Sequence, residues 1–198
     1  MSTENGLSDG AQFGHTLVMA TAEGLARQEV DGVIVTANER GVLGAAGPYS
    51  VRSLVGEAIE REAMAAAPLA IGSAAITQPG KLEERGVRVL LHAVASTTPG
   101  VAPRIDVLQR AIPAALRLAD EQRLHSVAIL PLSGVANDGV QLDAEGVAIA
   151  LIDGIVAHLR RSASRLDRIA FLVPLAGQVV PVANAIRDAR RRLWLSRG

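Results

Sequence analysis

The 198-residue chain has no cysteine. That excludes a disulfide framework, a thiol nucleophile and any thiolate metal site. Aromatic residues make up only 2% and are confined to Phe13, Tyr49, Phe171 and Trp194. Few rings are on hand to stack on bases, so the core must be filled by Ala, Val, Leu and Ile. Lysine occurs once, at Lys81, against nineteen arginines, which reflects coding bias rather than chemistry. The formal net charge is zero, and this argues against electrostatic capture of nucleic acid. No apolar run reaches the roughly 18–20 residues of a membrane span, and no signal-peptide pattern opens the sequence. The expectation is a cytoplasmic protein that binds neither membrane nor nucleic acid.

What is present is an α/β pattern. Hydrophobic residues make up 49% of the chain, enough for one sizeable core. Residues 1–12 (MSTENGLSDGAQ) are polar and Gly-containing, and read as a flexible tail. Residues 13–196 read as a single domain. Its organising stretch is residues 32–66. Val33-Ile34-Val35 suits a strand buried on both faces. Thr36 and Asn38 follow, then a loop with Gly41, Gly44 and Gly47. A helical period then places Val51, Leu54, Val55, Ala58, Ile59, Glu62 and Ala63 near one stripe. Strand, Gly-rich loop and helix put backbone N–H groups at a helix start beyond a strand's carboxyl end. α/β folds bind phosphorylated nucleotides at such points.

The remaining elements follow the same alternation. Residues 15–20 form a first strand, and residues 21–29 one or two helical turns capped by Thr21. Residues 73–78 and 87–95 read as two strands joined by a turn without a helix, hence antiparallel. Residues 105–119 form an amphipathic helix, residues 125–130 a buried strand, and residues 131–140 (PLSGVANDGV) a second Gly-containing loop. Asp143 can cap the next helix, residues 168–173 are the last strand, and residues 178–195 a closing helix. The expected fold is a three-layer α/β/α domain around a mixed, mostly parallel sheet of six to seven strands.

Each candidate site residue has two readings. The Asn38 amide either meets a ligand hydroxyl or an attacking water, or caps its own loop. Gly41, Gly44 and Gly47 either serve a tight turn or let a diphosphate approach the backbone. Their spacing is not the dinucleotide fingerprint, and Pro48 removes one donor from the helix start. Ser133, Gly134, Val135, Ala136 and Asn137 form a loop that follows a strand and precedes a helix. His92 lies inside an apolar strand and reads as a buried, satisfied histidine. His15, His125 and His158 are scattered without metal-ligand spacing, and no H-E-x-x-H occurs. Ser133 lacks the G-x-S-x-G elbow, and no G-K-[ST] follows a Gly-rich loop. The C-terminal arginines 187, 190, 191, 192 and 197 read as a solvated helix face.

Five short stretches, in order, resemble the macrodomain family. Residues 30–38 (VDGVIVTAN) are similar to its strand ending in Asn-Ala-Ala-Asn, and residues 41–47 (GVLGAAG) to its first phosphate loop. Residues 72–82 (GSAAITQPGKL) resemble its Gly-x-Ala-x-x-Thr segment. Residues 89–95 (VLLHAVA) are similar to its strand ending Ile-His-x-Val-Gly, and residues 126–135 (SVAILPLSGV) to its second diphosphate loop. The departures are specific. Val35 stands where the first Asn of the pattern falls, and Ala45 and Ala46 interrupt the glycine run. Pro48, Tyr49 and Ser50 replace the acidic or histidine positions of hydrolytic members. No Asp equivalent to the family's adenine-binding residue lies near Ala20 and Thr21.

The resemblance implies a binding module for ADP-ribose or a related nucleotide diphosphate, with ADP-ribosylated protein as a further ligand class. Leu43, Gly44, Ala45, Ala46 and Gly47 would face Ser133, Gly134, Val135, Ala136 and Asn137 across the diphosphate. Asn38 is the one retained polar candidate, for binding and, weakly, for catalysis. The base would rest on apolar contacts near Ala20 and Leu175. Slow or absent hydrolysis is expected, with no metal and no cofactor. The alternatives are an ADP-ribosyl hydrolase, or a vestigial pocket on an interaction module.

Overall fold

The computed structural model describes residues 9–43, 51–99, 101, 103–130, 144–161 and 163–195. Seven strands form one sheet: β1 (Gly10–Phe13), β2 (Thr16–Thr21), β3 (Gly32–Asn38), β4 (Ala74–Thr77), β5 (Val89–Ser96), β6 (Ser126–Ile129) and β7 (Arg168–Leu172). Their order is β1-β2-β7-β6-β3-β5-β4. The five central strands run parallel, and β1 and β4 close the two edges antiparallel. The expected antiparallel pairing of the segments around 74–77 and 89–96 is therefore present.

Five α-helices cover the sheet: α1 (Val51–Val55), α2 (Glu57–Ala65), α3 (Ile105–Glu121), α4 (Ala144–Arg161) and α5 (Val179–Leu195). Two buried clusters lie on opposite faces of the sheet. In one, Ile34, Leu91, Val127 and Ile169 meet Leu108 and Ile112 of α3, Leu151 and Ile155 of α4, and Ile186 of α5. In the other, Val33, Val35 and Leu90 meet Val55 of α1 and Ile59 of α2. Successive residues of β3 thus serve different layers, as the period of two in an extended chain requires. α/β/α layering follows. Among the described residues, no helix is long and apolar enough to cross a membrane.

Three features differ from the sequence expectation. Residues 10–12, read as tail, lie in β1. Composition did not signal this because Gly10 is there for close approach: a Cβ at Gly10 would lie 2.0 Å from the Val18 carbonyl oxygen. The helix expected across 51–63 breaks at Gly56, whose φ of 97° lies outside the helical range. The break turns the buried face of α2, so Glu60 points inward while Ala58 and Glu62 are exposed. Residues 21–29 hold only a 3₁₀ turn at Leu25–Arg27, with Thr21 Oγ1 accepting the Glu23 N–H at 3.1 Å.

The amino ends of the central strands are fastened by side chains. Asp31, just before β3, accepts the N–H groups of His125 at 2.6 Å and Ser126 at 3.0 Å, which fixes β3 against β6. On the same edge, Asp120 at the end of α3 binds His158 Nε2 of α4 at 2.8 Å, Ser164 Oγ at 2.9 Å and the Arg165 N–H at 2.8 Å. These acidic groups satisfy backbone and helix ends far from the opposite, carboxyl edge.

Candidate functional site

β3 and β6 are parallel neighbours, so the chain leaves both at the same edge of the sheet. From β3 it passes to α1 and α2 on one face. From β6 it passes to α4 on the other. The strand order also reverses here, with β5 and β4 continuing on one side and β7 and β2 on the other. The two connections leave the carboxyl ends of adjacent strands at the point where the order reverses, the place where α/β sheets take ligands. The two loops are the Gly-containing segments singled out in the sequence. Gly44, Ala45, Ala46, Gly47, Pro48, Tyr49 and Ser50 of the first loop, and all of 131–143 in the second, lie outside the described residues. Ser133, Gly134, Val135, Ala136, Asn137, Asp138 and Asp143 are among the latter.

The described start of the first loop is tightly held. Asn38 ends β3 and is 5% exposed. Its Nδ2 donates to the Val42 carbonyl at 2.7 Å, and its Oδ1 accepts from Arg40 N at 3.1 Å and Val42 N at 3.3 Å. Of its two sequence readings, the structure displays the loop cap. Gly41 has φ 70°, and a Cβ there would lie 2.4 Å from the Ala63 carbonyl oxygen, so this glycine serves the turn and the close pass of α2. Leu43 buries its side chain beside Val55 and Ile59. Its N–H donates to Glu60 Oε1 at 3.1 Å. That donor is used within the protein.

Glu60 and Arg52 escaped the sequence reading. Arg52 Nε meets Glu60 Oε2 at 3.1 Å, and Arg52 Nη2 meets Glu57 Oε1 at 3.0 Å. An unbroken helical wheel puts Glu62 inward instead; only the break at Gly56 selects Glu60. A Gly with acidic residues one and four positions later was the available signal.

His92 is fully buried in β5, opposite Val35 of β3 and Ala75 of β4. Its Nε2 lies 2.8 Å from Thr77 Oγ1, and the Thr77 hydroxyl donates to the Gln78 carbonyl at 3.2 Å. With that hydroxyl hydrogen used, Nε2 carries the imidazole proton and donates to Oγ1. Nδ1 is then a bare acceptor with no partner. Burial lowers the His92 pKa from 6.5 to about 4. A neutral imidazole sealed inside the sheet is a structural group; its burial matches the sequence reading, while its unpartnered Nδ1 departs from the satisfied histidine expected.

Ala20, expected to touch a base, is fully buried under the α5 layer. It cannot offer its side chain to a ligand. Leu175, after β7 at the carboxyl edge, is 63% exposed and free to do so. Among the described residues no group of three His, Asp or Glu is placed to hold a metal ion.

Comparison with known proteins agrees with this geometry. The family model of the macro domain matches residues 34–148. An uncharacterized protein of Aquifex aeolicus (strain VF5) is 38% identical over 112 residues, 57% of this chain and 66% of that protein. The chain thus spans just under two thirds of this relative's length. A Trypanosoma brucei macrodomain in complex with ADP-ribose superposes with a TM-score of 0.65 at 18% identity, covering 87% of this chain and 69% of that one. An Oceanobacillus iheyensis macrodomain with MES bound gives 0.69 at 13% identity, covering 94% and 97%. These two likenesses concern the fold, and the family match extends over more than half of the sequence. The chain belongs to the macrodomain family.

Proposed function

We propose that this protein binds ADP-ribose or a related nucleotide diphosphate, free or attached to protein, and hydrolyses it slowly or not at all. The observation that carries the reading is the strand-order reversal at β3 and β6, where the chain leaves both carboxyl ends into the Gly-containing segments. The diphosphate would lie between backbone N–H groups of residues 44–47 and 133–137. Fixed donors and helix starts would supply the attraction, without need of a basic side chain. Pro48 contributes no donor.

Weak catalysis follows from the described groups. Hydrolysis requires an oriented water and a proton acceptor. Asn38 has its carbonyl oxygen and one amide hydrogen engaged in its own loop, and an amide is no base near neutral pH. His92 is sealed in the sheet with no route for a water to its ring. Calorimetric titration with ADP-ribose tests the reading. Heat saturating at micromolar to millimolar ligand is expected, with little turnover of ADP-ribosylated protein. No heat at millimolar ligand would leave an interaction module as the better account.

A further inference from the structure

Glu60 is the one buried carboxylate among the described residues, and the site as described so far gives it no task. A carboxylate is taken out of water only when its oxygens are satisfied. Here each oxygen has a different kind of partner. Oε1 accepts the Leu43 backbone N–H at 3.1 Å, and Oε2 meets the Arg52 guanidinium at 3.1 Å. Leu43 is the last described residue before the first Gly-rich segment, and Arg52 lies in the first turn of the helix that follows it. One side chain therefore contacts a residue on either side of segment 44–50.

We propose that Glu60 is a positioning residue for the nucleotide site: it clasps Leu43 and Arg52 and so sets where the first phosphate loop begins and ends. The proposal rests on the nucleotide reading above. Backbone donors bind a diphosphate well only if their spacing is fixed beforehand, because otherwise binding must order them. Arg52 also pairs with Glu57, so its guanidinium is held from two sides. Asn38 fixes residues 40 and 42 from the strand side, and Glu60 continues that scaffold to residue 43.

The test compares Glu60→Leu, Glu60→Gln and wild type by ADP-ribose calorimetry and by hydrogen exchange at single amides. Glu60→Leu removes both contacts. It is expected to weaken ADP-ribose binding about tenfold or more, and to speed exchange at Leu43 while leaving Ile34 protected. Glu60→Gln keeps an acceptor for the Leu43 N–H and loses the ion pair, so it should retain Leu43 protection and lose only about threefold in affinity. If Glu60→Leu does not fold, the Gln variant alone decides, through its partial loss of affinity. A folded Glu60→Leu variant with wild-type affinity, or a Gln variant indistinguishable from wild type, overturns the clasp. Should wild type give no heat with ADP-ribose, the nucleotide reading fails, and Leu43 exchange still tells whether the clasp exists.

Discussion

His92 ties one side chain to a measurable pH dependence. In the fold its pKa is about 4, while in the unfolded chain it returns to about 6.5. Between these values the unfolded chain binds the extra proton, so stability falls as pH drops from about 6.5 to about 4 and is unaffected by this group above that window. The shift corresponds to about 3 kcal/mol in total. His92→Leu should flatten that part of the stability–pH curve; denaturant midpoints between pH 7 and pH 4 check it. Parallel curves for the two proteins would sink the assignment. The residue scale was also where sequence reading was weakest. That His92 lies inside an apolar strand was legible, and its burial follows from that. Asn38 left two readings open because an amide after a strand suits both. Glu60 was illegible because its burial depends on a backbone break that no periodicity reports.

Among the elements, β3 and the turn after it carry the most information. The β-branched run at 33–35 announced a strand with two buried faces, and both clusters use it. The antiparallel partners β4 and β5 were legible from the missing helix between them. β1 was not, since a four-residue edge strand with a glycine, an alanine and a glutamine has no apolar alternation to detect. Gly41 is a close approach in the described part of the β3–α1 connection. Gly41→Ala would add left-handed strain and push a methyl into the Ala63 carbonyl, so a loss of about 2 kcal/mol or more is expected. Thermal or urea unfolding measures it. A variant as stable as wild type would mean that the connection has room the geometry denies.

Across the whole molecule, fold and family were legible from five stretches in order, while the activity was not. The departures from the family pattern fall on residues that would carry an activity: Val35, buried in β3, stands in place of an Asn, and Pro48 supplies no N–H donor. The sheet has a further consequence for the order in which the protein assembles. β2 pairs with β7, and Thr16 donates its hydroxyl to the Leu166 carbonyl across 150 residues. β3, β4 and β5, by contrast, find one another within residues 32–96. Closing a longer loop costs more entropy before any contact repays it. The β1–β2 hairpin precedes the other described strands in sequence, yet it has no neighbour in the sheet until β7, the last of them, is in place. In refolding followed by pulsed hydrogen exchange, amides of β3 and β5 should become protected before those of β1 and β2. The reverse order would mean that the hairpin guides the sheet instead of completing it.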